Sequence, residues 1–207
     1  YNLSLIGIMV LAIVVRIYFF VMAKDQAHWW DTLAYASMAK QMVLGLWDSN
    51  HFIITESLIR PPLLPLIWAF LMKLHVSEVL TLIFIEITPS LVSVYLVYGI
   101  GKELYDERVG LFSALLFSVS WLHLFYSVRI MTDTPSLFLS LLSIYFFVKS
   151  YKDIEFNGFS LSILFLSLAV LMRYSYGLIG FAYLIFFGIV HREKILGKKN
   201  FWIGGII

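Results

Sequence analysis

Residues 3–23 read LSLIGIMVLAIVVRIYFFVMA, an apolar run whose single charge is Arg16. A helix rises about 1.5 Å per residue, so a run of this length crosses the roughly 30 Å hydrocarbon core of a bilayer. The residues are apolar on every face and do not alternate with polar ones, so a barrel strand is excluded and a helix must satisfy the backbone in lipid. Nothing here resembles a cleaved signal peptide, although the run can act as an uncleaved signal anchor. The same reading, with a window of about 19 residues, predicts further spans over 80–100, 109–127, 134–149, 157–172 and 176–190. The stretch from Leu63 to Leu74 is shorter, and Lys73, His75 and Glu78 interrupt it. Apolar runs of about 10–14 residues are more often interfacial or re-entrant, which assigns this one to the membrane surface. The predicted fold class is all-α, a polytopic transmembrane helical bundle.

The rest of the sequence supports that class. Of 207 residues 61% are hydrophobic and 14% charged, with a mean hydropathy of +0.89, more apolar surface than a soluble domain of this size buries. The net charge of +2 is too small to point to nucleic acid. Without cysteine there is no disulfide framework and no thiolate metal site. The chain opens on Tyr1 and stops at Ile207 inside an apolar run that begins near Phe201. It is therefore expected to be a fragment, the N-terminal part of a transmembrane domain over 1–207.

Orientation is read from the basic cluster His191, Arg192, Lys194, Lys198 and Lys199, which is predicted to be cytoplasmic. Counting back by parity, the loops at Lys149 to Lys152 and Lys102 to Arg108 are cytoplasmic as well. Residues 128–133 and 173–175 then lie outside, together with a long first loop over about 24–79. Asp31, Arg60, Arg129, Asp133 and Arg173 share that outer face. The parity requires that 63–74 does not cross; were it a span, Asp31 would sit opposite Asp133.

Within the first loop, Trp29 and Trp30 suit the headgroup level, and Tyr35, Met38, Ala39, Met42, Val43 and Leu46 recur at helical spacing. Ser37, Lys40 and Gln41 fall on the other face. This predicts an amphipathic helix on the membrane surface, opened by Asp31 and ended near Gly45. Asp31 is explained plainly as an N-cap, and Thr132-Asp133-Thr134-Pro135 is likewise a helix-start signal. Two carboxylates on one outer face nevertheless suit proton abstraction, or the holding of a divalent metal ion beside a phosphate leaving group. That ion, held by Asp31 and Asp133, is the one cofactor expected.

Arg16 lies inside the first run, where a charge costs at least about 2.5 kcal/mol, so it should face a partner or a wet cavity unless it snorkels to the surface. Arg129 precedes Asp133 by four residues and pairs with it on the plainest reading, while Arg173, between two spans, faces headgroups. With Arg60, these guanidinium groups suit a lipid-linked phosphate, because their forked donors bind two oxygens at once. Glu86, three residues before Pro89, is another intramembrane charge, open to structural pairing or to function. His28, His51 and His75 lack the spacing of a metal-binding helix and read as loop residues. No glycine-rich phosphate loop, nucleophile elbow or zinc-protease helix is present, so a nucleotide-sugar donor is not indicated.

Four segments, taken in order, resemble a known family. They are Asp31 with Tyr35 opening a surface helix; Arg60-Pro61-Pro62-Leu63-Leu64-Pro65; Gly101-Lys102-Glu103-Leu104-Tyr105-Asp106-Glu107-Arg108-Val109-Gly110; and Tyr126-Ser127-Val128-Arg129-Ile130-Met131-Thr132-Asp133-Thr134-Pro135. The chain is similar to the N-terminal half of the GT-C membrane glycosyltransferases, most of all the prokaryotic protein mannosyltransferase and aminoarabinose transferase branch. The resemblance implies inverting transfer of a sugar from a dolichyl- or undecaprenyl-phosphate carrier to a protein, lipid or glycan acceptor. It places this activity at the outward face of a prokaryotic cytoplasmic membrane.

By the same resemblance Asp31 is the base for the acceptor, and Asp133 is the second carboxylate, positioning acceptor or metal. Arg60 lies near the lipid phosphate together with Tyr35, and Arg16, Arg129 and Arg173 are looser matches to donor-binding positions. Later spans and an external C-terminal domain are implied beyond this chain. Two positions depart from the pattern: Thr32 follows Asp31 where protein mannosyltransferases have glutamate, and Glu86 stands where relatives often carry arginine. Both leave the acceptor open. The competing reading is a transporter or lipid-flipping protein whose charges line a path, but the sequence has no internal repeat and only Pro89 as an interior helix breaker. A purely structural membrane subunit leaves Arg16 and the outer charges unexplained.

Overall fold

The computed structural model describes residues 2–23, 26, 30–45, 60–150 and 156–190, and among these the regular structure is entirely helical. In chain order the helices are α1 (Asn2–Ala23), α2 (Trp30–Val43), α3 (Leu63–Lys73), α4 (Glu78–Leu104), α5 (Glu107–Ser118), α6 (Trp121–Tyr126), α7 (Asp133–Ser150), α8 (Phe156–Met172) and α9 (Gly177–Val190). The predicted all-α membrane bundle is thus what the chain forms. α1 and α4 are each long and apolar enough to cross a bilayer, whereas α8 and α9 are apolar but shorter. α7 lies between α4 and α8, and α1 packs on α4 and α5. Lys24, His28, Trp29, Leu46, His51, Lys152, the basic cluster from His191 to Lys199 and the run from Phe201 lie outside the described residues, and the orientation read from that cluster lies outside them too.

Two predicted spans differ in detail. α4 relaxes into a π-turn over Ile83–Ile87 immediately before Pro89. Proline has no N–H for the carbonyl four residues back, and its ring crowds that carbonyl; the extra residue in the π-turn absorbs the mismatch, so the helix bends its rules without breaking. The run 109–127 is not one helix. α5 ends at Ser118, Val119 leaves helical geometry, and α6 restarts after Ser120, whose backbone is extended. The Ser118 carbonyl accepts from Arg16 Nη1 at 3.3 Å, and the Ser118 hydroxyl turns back to the Leu115 carbonyl at 2.7 Å. Serines at such a point offer the backbone alternatives to continuing the helix.

α4 and α5 meet backbone to backbone. A Cβ on Gly110 would stand 2.6 Å from the Tyr98 carbonyl oxygen, and one on Gly101 would stand 2.9 Å from Gly110 Cα. Small residues of this kind are how membrane helices approach closely.

The amphipathic helix predicted from Asp31 to Gly45 is α2, closed by Gly45 at φ +71°, a left-handed conformation that glycine adopts without strain. Its apolar face is covered by protein. Tyr35, Met38 and Ala39 are buried with Leu64, Trp68 and Ala69 of α3, and Ile85, Ile130 and Met172 complete the cluster. α3, about 16 Å long at 1.5 Å per residue, is too short to cross.

Candidate active site

Four separate segments meet at one end of the bundle. Thr32, in the first turn of α2, donates its hydroxyl to the Ile130 carbonyl at 3.1 Å. Arg129 Nη2 donates to Gln26 Oε1 at 2.5 Å. Asp31 and Asp133 therefore stand at the same end of the molecule.

Each carboxylate opens a helix, where the free N–H groups and the dipole favour negative charge, and each meets a guanidinium. Arg60 Nη1 lies 2.7 Å from Asp31 Oδ1, with its guanidinium carbon 5.4 Å from the centre of the Tyr35 ring. The Asp31 side chain is half-exposed, so the pair is open to a ligand. Asp133 pairs with Arg173, which follows α8. Behind Asp133 the helix start is packed, with Thr134, Pro135 and Ser136 buried.

Arg129 does not supply that partner. Its Nη1 donates to the Phe125 carbonyl at 2.6 Å and its guanidinium lies 3.9 Å from the Phe125 ring centre, while burial lowers its pKa from the ordinary arginine value. Arg16 is placed behind the site. It is almost fully buried, donating from Nε to Ser90 Oγ at 2.6 Å and from Nη1 to the Ala12 carbonyl at 3.0 Å. A headgroup at the surface does not reach a side chain held in this way.

One contributor, His123, was not foreseen in the sequence, and a second, Glu86, is open there to structural pairing or to function. His123 Nε2 lies 3.0 Å from Ser90 Oγ and 3.3 Å from the Ser90 carbonyl. With Asp133, Thr134, Tyr126 and Tyr176, His123 lines a pocket of about 230 Å³ between α6, α7 and the turn after α8. An ionisable residue inside the apolar run 109–127 was the available signal. Glu86 is fully buried, and its Oε1 accepts the Met131 N–H at 2.8 Å, so the π-turn of α4 holds the loop that leads to Asp133. Among the described residues no three His, Asp or Glu side chains converge as a metal site. Asp31 and Asp133 already face guanidinium groups, a poor fit for a resident divalent ion.

The family model described as dolichyl-phosphate-mannose-protein mannosyltransferase matches residues 59–207. The chain belongs to this family. No curated protein and no solved structure matches it. Membership in the mannosyltransferase family carries GT-C ancestry with it, and makes the chain an integral membrane glycosyltransferase dependent on polyprenyl-phosphate sugar. The match takes in Arg60, Glu86, Arg129, Asp133 and Arg173, while Arg16, Asp31 and Tyr35 precede it.

Proposed function

We propose that this multi-pass protein transfers a sugar from a polyprenyl-phosphate carrier to a hydroxyl of a protein, lipid or glycan acceptor, with inversion, at the outward face of a prokaryotic cytoplasmic membrane. The observation that carries the reading is the pairing of Asp31 with Arg60 and of Asp133 with Arg173 at one end of an apolar bundle. An isoprenoid chain stays in lipid there while its phosphate reaches two arginines.

In the transfer, the acceptor oxygen attacks the anomeric carbon, Asp31 takes the hydroxyl proton, and the bond from that carbon to the phosphate oxygen breaks with its electron pair leaving on the phosphate. Arg60 has five N–H donors, enough to turn some toward the phosphate as charge grows there and so free Asp31 to act as base. Asp133, held by Arg173, orients the acceptor from the opposite side. The arginines thus supply the positive charge that the sequence reading gave to a divalent ion, and no step runs through a metal.

Replacing Asp31 by Asn keeps the side-chain shape and removes the base. Turnover of a polyprenyl-phosphate sugar by the full-length protein should fall about 10²–10⁴-fold, and EDTA should leave the wild-type rate unchanged. Full activity of Asp31→Asn would end the assignment. A flippase, by contrast, tolerates loss of a single outer carboxylate, so retained lipid movement without any transfer would favour that rival.

A further inference from the structure

Glu86 takes no part in the transfer step, yet its position is costly. A carboxyl inside a membrane helix is costly to bury, and the single hydrogen bond it accepts from Met131 offsets only part of that cost. Stability alone gives little reason for it. It sits in the π-turn, the kind of helical irregularity that concentrates at functional sites. Its carboxyl points out of α4 to the one backbone N–H, that of Met131, which lies two residues before Asp133.

The loop 127–132 is non-helical and closely held. Thr32 secures the Ile130 carbonyl and Glu86 secures the Met131 N–H, so two consecutive residues are tied to two different helices. Met131 is buried, and without Glu86 its N–H would have no water to turn to. The second carboxyl oxygen of Glu86 and the Thr134 hydroxyl are both buried without a hydrogen bond among the described residues. Thr134 lines the pocket beside Asp133.

We propose that Glu86 is a positioning residue for the transfer: through Met131 it fixes the loop that presents Asp133 at the pocket. The inference rests on the transferase reading for its catalytic consequence but not for its structural one. A displacement of about 1 Å at a reacting group costs on the order of 100-fold in rate, which a loosened loop would deliver.

The test compares Glu86→Gln with Glu86→Met in the full-length protein. Glutamine retains a carbonyl acceptor for Met131. Methionine has similar length and no acceptor, and it is at home in a membrane helix. Glu86→Gln should keep kcat near the wild-type value. Glu86→Met should lower kcat about 100-fold with the KM for donor lipid little changed, the pattern of a lost transition-state arrangement. A reporter cysteine replacing the buried Thr132 reads the loop directly: its labelling by a thiol reagent should quicken several-fold with Glu86→Met and not with Glu86→Gln.

Unchanged labelling in Glu86→Met, or a Gln variant as impaired as the Met variant, overturns the proposal. If Glu86→Met does not accumulate, Glu86→Gln decides alone, its loss of turnover or quickened labelling counting against the inference and their retention for it. Quickened labelling in a protein that transfers no sugar would uphold the loop's dependence on Glu86 while the transferase reading fails.

Discussion

At the scale of single residues, local chemistry was readable and distant pairing was not. Asp31 and Asp133 could be found because a carboxylate followed by a helix leaves a signature within four residues. The partner of Asp133 was hidden: Arg173 is 40 residues away. The nearer Arg129 misled because a spacing of four implies contact only on a helix, and residues 127–132 are not helical. Arg16 was rightly expected to find partners inside the bundle, but those partners are neutral, and its Nη2 has none. A buried charge held by dipoles alone is weak evidence for stability. Arg16→Met, which keeps the volume and removes the charge, should therefore change unfolding free energy by no more than about 1 kcal/mol or stabilise the protein. Arg16→Ala, which opens a cavity, should cost about 2–4 kcal/mol. Thermal unfolding in detergent checks both, and a large loss in the Met variant would show that the charge itself holds α1 in place.

At the scale of elements, apolar runs predicted where helices lie, and polar residues within them decided where they bend. The break between α5 and α6 carries a contact from Arg16 to the Ser118 carbonyl, which hydropathy cannot register. The stretch from Gly101 to Gly110, quoted above only as a likeness, has a physical reason in the crossing of α4 and α5. A Cβ at Gly110 would meet the backbone oxygen of Tyr98 at 2.6 Å, and no side-chain rotation relieves a clash with backbone. Gly110→Ala should cost about 1–3 kcal/mol, as overpacking does, and Gly110→Val more. A thermal midpoint for Gly110→Ala equal to wild type would mean that the helices part without penalty.

At the scale of the whole molecule, the sequence reading of one charged end is matched by the bonds from Thr32 to Ile130 and from Gln26 to Arg129. Which face of the membrane that end occupies is a separate matter, decided by labelling. Single cysteines replacing Leu33, Lys73 and Tyr174, all exposed and near this end, should react with a membrane-impermeant reagent on intact cells. One replacing Tyr105, exposed at the opposite end between α4 and α5, should react only after lysis. The reverse pattern would put the carboxylates in the cytoplasm and remove the outward-facing transfer.

The partners of Arg16 also impose an order on how the protein is made. Ser90 and Ser118 follow it by 74 and 102 residues. When α1 leaves the ribosome, neither serine has yet been synthesised to receive its guanidinium within the bilayer, and the side chain is drawn toward the headgroups. α1 is thus made well before the helices that hold its arginine, and the insertion machinery must keep it waiting until α5 has arrived.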